Sequence, residues 1–215
     1  MGAIDHVLTA VAEGRMALLL DDEDRENEGD IVVAAERLTG AHFNFMLSHT
    51  RGLVCVPLEA ARLRELGIPD MPASPGDEGQ CPPFTVTVDL AHGTGSGSSV
   101  LDRVECIHHL VSSTAKAGDF KYPGHVMPLR GHPQGLEARR GHTEAAIELV
   151  RLAGLVPGAV ICGVLAADGD VMRGAELEKF AAEHELPLIT VDEVAAQARR
   201  ARAAIGSSLL VPDDS

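Results

Sequence analysis

Between two apolar runs the chain carries Asp21-Asp22-Glu23-Asp24-Arg25-Glu26-Asn27-Glu28-Gly29-Asp30, and seven of these ten residues are carboxylates. Carboxylates this crowded repel one another unless a cation sits among them. Hard oxygen ligands of this kind suit Mg²⁺ or Mn²⁺. The plainer alternative is a solvated acidic turn, which is what most charge runs are. An EF-hand is excluded, because its alternating ligands and closing Glu are missing.

A second group, Arg139-Arg140-Gly141-His142-Thr143-Glu144, lies where a helix should begin, with Thr143 as its cap. Free N–H groups and the positive end of a helix make a phosphate seat. Arg139 can grip a phosphate with two bonds, and His142 can bind a metal or move a proton. Taken alone, the segment reads more simply as a helix start flanked by surface arginines. In Pro123-Gly124-His125-Val126-Met127-Pro128, two prolines and a glycine hold one histidine. A histidine held this way is an acid or base, or a structural group bonded to a carbonyl. The run Gly93–Ser99 lacks the lysine of a phosphate loop and reads as a flexible connection ending in a Ser cap. Cys55 ends an apolar strand and reads as core. His108 and His109 are adjacent on a helix, point apart, and make a poor metal pair.

The elements that must position these groups are aliphatic. Hydrophobic residues make up 45% of the 215 residues, aromatics only 3%, and Trp is absent. The formal net charge of -14 disfavours nucleic acid and anionic lipid as partners. A phosphorylated ligand must then be drawn in by local arginines and N–H groups. The four cysteines form no CxxC pair, which argues against a cysteine zinc site and for a reducing compartment. With neither a signal peptide nor a membrane-spanning run expected, the reading is a cytoplasmic protein.

Helical spacing marks residues 4–11, 41–48, 59–66, 100–113, 144–153, 175–185 and 191–202. Strands are expected at 16–20, 31–35, 53–56, 84–90, 160–165 and 188–190. Pro57 should end the third of these, and residues 118–142 read as loop-rich. The segment 69–83, rich in Pro, Gly, Asp and Ser, is a lid candidate. Interleaved strands and helices give an α/β (α+β) class: one layered α-β-α domain with a mixed sheet over residues 1–202, and a weakly ordered tail at 203–215.

In this order the segments resemble 3,4-dihydroxy-2-butanone 4-phosphate synthase of riboflavin biosynthesis. The acidic loop is similar to that family's signature. Gly52-Leu-Val-Cys55, Phe84-Thr-Val-Thr87, Asp102-Arg103, Pro123-Gly-His-Val126 and Gly141-His-Thr-Glu-Ala145 follow in family order. The resemblance covers roughly residues 4–200. It implies a divalent-metal-dependent lyase that turns ribulose 5-phosphate into dihydroxybutanone phosphate and formate. It also implies a homodimer with its sites near the subunit interface. By position, Glu26 and His142 resemble the metal ligands for Mg²⁺ or Mn²⁺. Arg25 and Asp30 resemble substrate contacts, with Asp30 an acid/base. Arg139, Arg140, Gly141, His142 and Thr143 resemble the phosphate loop. His125 matches a catalytic histidine, and Cys55 a cysteine near the site.

Departures fall in the same places. The family's usual Glu after the cysteine of Val160-Ile161-Cys162 is Gly163 here. Arg140 stands for a glycine, Tyr122 for an arginine, Cys106 for a threonine, and Cys81-Pro82-Pro83 for a threonine-containing stretch. Two other readings follow: a paralogue acting differently on a related sugar phosphate, or a metal- and phosphate-binding protein without catalysis.

Overall fold

The computed structural model describes residues 2–21, 27–72 and 83–208. Arg25, Glu26 and most of the segment expected as a lid lie outside the described residues. Helix α1 (Ala3–Ala12) buries Val7, Ala10 and Val11 and stops at Gly14, whose φ of 84° reverses the chain. Strand β1 (Ala17–Leu20) follows, and β2 (Gly29–Ala34) returns antiparallel with Leu20 opposite Gly29. The Asp21 N–H donates to the Glu28 carbonyl at 2.9 Å, which extends the β1–β2 pairing by one backbone bond.

Helix α2 (Gly40–Phe45) begins where Thr39 caps it, its hydroxyl accepting the His42 N–H at 3.2 Å. A π-helical turn over Met46–Thr50 then delivers Arg51 in a left-handed conformation, φ 60°. The remaining elements are β3 (Arg51–Leu58), α3 (Ala60–Glu65), β4 (Val88–Leu90), α4 (Val100–Val111), β5 (Phe120–Arg130), α5 (His142–Leu152), β6 (Ala159–Val164), α6 (Ala175–Glu183), β7 (Leu188–Thr190) and α7 (Val191–Ser208).

All seven strands share one sheet in the order β4-β5-β3-β6-β2-β1-β7. The pairs β1–β7 and β3–β5 are parallel and the others antiparallel, so the sheet is mixed. Successive strand residues face opposite sides. Ile31, Val33, Val160 and Cys162 therefore pack under α2, α3, α4 and α6 through Phe43, Leu63, Ile107 and Phe180. Val32, Ala34, Ala159 and Ile161 pack under α1, α5 and α7 through Val11, Leu149 and Val194. This is the layered α-β-α arrangement that the sequence pattern indicates.

Four details differ from the expectation. Residues 120–130, read as loop, form the long strand β5. Strand β3 runs through Pro57 to Leu58. Of the expected strand 84–90 only Val88–Leu90 is a strand, with isolated bridges at Phe84 and Thr85. Helix α7 continues to Ser208, six residues past the expected boundary. Among the described residues no helix is long and apolar enough to cross a membrane.

Helix α5 is buried from His142 to Val150, and Leu149 has no exposed surface. Leu149→Ala is therefore expected to lower stability by about 2–5 kcal/mol, the cost of a buried large-to-small change. Chemical denaturation of the variant checks this, and a loss below about 1 kcal/mol would contradict the packing described.

Candidate functional site

The hairpin carries Asp30 onto the sheet. Asp30 pairs with Gly163 on β6, and Cys55 of β3 pairs with Ile161 two places along. Asp30 shares the parity of Val32 and Ala34, so it lies on the α5 side, as does Cys55. Among the described residues, a Cβ built on Gly163 would meet only the Asp30 Oδ1, at 3.4 Å, which leaves room there for a side chain beside the Asp30 carboxylate.

Helix α5 packs on this same face of the sheet. Its N-cap is Gly141, not Thr143, and no side chain caps it. His142 is the first helical residue and is 9% exposed. Its Nε2 has no hydrogen-bond partner among the described residues. A buried polar atom left unsatisfied costs about 1–3 kcal/mol, so this nitrogen calls for a partner beyond the described residues. An imidazole nitrogen fits a divalent ion such as Mn²⁺, or Mg²⁺ that keeps some of its waters. The other expected ligand, Glu26, lies outside the described residues, and no cluster of three His, Cys, Asp or Glu side chains occurs among those described.

Arg139 folds back over Gly141: a Cβ there would sit 2.3 Å from the Arg139 Nη1. Only glycine leaves space for the guanidinium in this position. Glu144, whose side chain is 1% exposed, accepts from Arg139 Nη1 at 2.7 Å and from the His132 backbone N–H at 2.9 Å. One buried carboxylate therefore fixes both the arginine and the loop leading into α5. Arg140 is tied elsewhere, its Nη1 donating to Asp192 of α7 at 2.5 Å. No local sequence signal pairs these two residues, which are 52 positions apart.

His125 stands apart from this group. It lies on the exposed half of β5 and lines a cavity of about 190 Å³ with Thr87, Arg103, Leu47, Leu53 and Met127. Asp30, Arg139 and His142 do not line that cavity. The ring Nδ1 of His125 bonds Asp89 at 2.8 Å. Sequence reading passed over both Asp89 and Glu144. The available signal was a lone acid on an otherwise apolar strand in the first case and an acid in a helix's first turn in the second.

The Cys55 thiol is 6% exposed. Burial first, then the charges of Asp30 and Cys162, push its pKa up to about 12. At neutral pH it is a neutral group beside Asp30, suited to packing or weak hydrogen bonding and not to nucleophilic attack.

A seven-stranded mixed sheet between two helix layers defines a single layered α/β domain. Residues 5–197 match the sequence profile described as 3,4-dihydroxy-2-butanone 4-phosphate synthase, and the chain belongs to that family. It is 44% identical over 191 residues to the 3,4-dihydroxy-2-butanone 4-phosphate synthase of Agrobacterium fabrum, covering 89% of each. It is 43% identical over 194 residues to the enzyme of that name from Pseudomonas aeruginosa, covering 90% of this chain and 53% of the relative. Against a riboflavin biosynthesis protein of Endomicrobium trichonymphae it is 44% identical and covers 49% of it. The chain thus spans about half the length of these last two relatives. A solved structure of 3,4-dihydroxy-2-butanone 4-phosphate synthase in complex with two magnesium ions superposes with a TM-score of 0.86 at 37% identity, covering 93% of this chain and 98% of that one.

With a thiol pKa of about 12, only ~10⁻⁴ of Cys55 is thiolate at pH 8. Cys55 is therefore expected to resist iodoacetamide in the native protein at that pH and to react after denaturation. Peptide mass spectrometry reads this, and stoichiometric native labelling at Cys55 would show that the thiol is not held as described.

Proposed function

We propose that the chain converts ribulose 5-phosphate to 3,4-dihydroxy-2-butanone 4-phosphate and formate, with a divalent ion held by His142 and Glu26. The observation that carries the reading is the Nε2 of His142, buried at the uncapped start of α5 and without a hydrogen-bond partner among the described residues. The start of α5 supplies N–H groups for a phosphate, with Arg139 held ready by Glu144. Phosphate binding there is remote from the bonds that change, so its energy can be used to orient the sugar. Asp30 and His125 are the proton carriers in this scheme. Arg25 contacts substrate, and Cys55 shapes the floor beside Asp30. When bound, the divalent ion serves as a Lewis acid for the oxygens of the sugar.

The enzyme in this reading is a cytoplasmic homodimer. Leu53, 58% exposed, and Leu47, 41% exposed, both line the His125 cavity. Apolar side chains collected at one opening favour burial against a second copy. Sedimentation of the purified protein is expected to give a dimer that Leu53→Asp dissociates. A wild-type monomer at tens of micromolar would sink the assembly.

One observation favours a second reading. Gly163 cannot move a proton, and the room beside Asp30 is open to a water or to a different substrate group. A paralogue acting on a related sugar phosphate, or stopping at enolisation, would have such a gap.

Carbon and phosphorus NMR of the protein with ribulose 5-phosphate and Mg²⁺ or Mn²⁺ separates the two. Formate and a new four-carbon phosphate are expected, lost on His142→Ala and raised only slightly by Gly163→Glu. Formate that appears only after Gly163→Glu would assign the natural reaction to the paralogue reading.

A further inference from the structure

We propose that Asp89 is a positioning residue that locks His125 into one tautomer, leaving Nε2 as the atom that takes and returns the proton in the reaction. The inference rests on the synthase reading for its chemistry, but its geometry stands on the chain alone.

Asp89 lies in β4 with its side chain 4% exposed. One carboxylate oxygen accepts the His125 backbone N–H at 2.8 Å, and the other bonds the His125 Nδ1 at 2.8 Å. An ionised carboxylate only accepts, so in the neutral ring the bond to Asp89 favours the tautomer with the hydrogen on Nδ1 and the lone pair on Nε2. Two bonds from one buried acid fix both the backbone and the ring. The His125 side chain itself remains 44% exposed at the cavity. The acid is thus shielded and the base is open, an arrangement for transferring protons more than for holding the fold.

The glycine-rich run finds its purpose here. Gly97 has φ +87°, and a Cβ on it would sit 2.2 Å from the Asp89 Oδ2. The loop therefore passes directly over the carboxylate, which only glycine allows. The loop is pinned in turn: Asp102 accepts the N–H groups of Gly95 at 3.2 Å and Gly97 at 3.1 Å, and Arg103 donates to the Ser98 carbonyl. From below, Gly124 lets β5 press against the backbone of Val88, and its N–H donates to Thr87 Oγ1 at 3.0 Å. The neighbouring Cys106 thiol is pushed up to about 12, by burial first and then by the Asp89 charge. The other charged groups nearby are Arg103, which lines the cavity, and Lys121, opposite Asp89 on β5.

A second histidine–carboxylate pair serves as contrast. His109 and Asp119 also lie 2.8 Å apart, but both are about one-third exposed and Asp119 also holds the Lys116 N–H. That pair closes a turn and lines no cavity among those described.

The test uses the full chain carrying Asp89→Asn. An asparagine can present its NH₂ to Nδ1 and so favours the other tautomer. Nitrogen-15 NMR above the titration of the ring should show Nδ1–H in the wild type and Nε2–H in the variant. Formate production should fall by roughly 10²–10⁴ in kcat with KM changed less than about threefold. His125→Ala with Asp89→Asn should be no slower than His125→Ala alone, because the acid acts only through the histidine. Asp119→Asn should change none of these. Additive losses in the double variant, or Nε2–H in the wild-type spectrum, would overturn the proposal, and the spectrum decides even if Asp89→Asn fails to fold. A wild type that makes no formate strikes at the synthase reading instead, while the tautomer measurement still decides the part played by Asp89.

Discussion

From His142 to Val150, α5 has no residue that water reaches freely, and a helix so placed needs a partner for every charge and polar end it carries. Its two acids have them. Glu144 holds Arg139 and the His132 N–H, while Glu148 pairs with Arg151 and Arg202. Its first turn does not: no side chain caps it, and the Nε2 of His142 has no bond among the described residues. Buried polar groups are ordinarily satisfied, so this nitrogen calls for a partner beyond the described residues. The apolar packing that fixes α5 on the sheet is what makes that start rigid.

Electrostatics then divides the molecule into a repelling exterior and a selective interior. A net charge of -14 repels anions at long range. Many of the arginines are paired with carboxylates, including Arg140 with Asp192, Arg130 with Asp70 and Arg173 with Glu28. Exposed pairs of this kind contribute little to stability, about 0–1 kcal/mol each. Their effect here is to keep positive charge from gathering on the surface. In the reading proposed above, an anion is received at the start of α5, where helix N–H groups and the Glu144-held Arg139 are available.

Much of the fold was legible in the sequence, because each apolar element repeats with the period of its structure. Val160-Ile161-Cys162 reads as a strand buried on both faces and is one. Thr39 and Ser99 announce their helices and cap them. What escaped were features set by contacts between distant segments. Pro123, Gly124 and Pro128 signal a loop, yet β5 is held by the ladders of β3 and β4 on its two sides. Thr143 is a good cap residue by type, but packing buries it at 2% exposure and Gly141 takes the place. Of the site, the residue types were visible and their partners were not. Asp89 and His125 are 36 residues apart, and no local rule pairs them.

The arrangement of His125 carries a geometric consequence. A proton carrier must come within about 2.6–3.2 Å of the proton it moves. His125 opens into a cavity that lacks Asp30, Arg139 and His142, and its mouth is ringed by exposed Leu47 and Leu53. Covering exposed apolar side chains is favourable, and covering these with a second copy would set the His125 of one subunit against a surface of the other. On that argument the two halves of the chemistry need not meet within one chain. The pairing of Asp89 with His125 then has a further use: a base that works across a subunit boundary must be aimed before the boundary forms, and a buried carboxylate gripping both ring and backbone aims it.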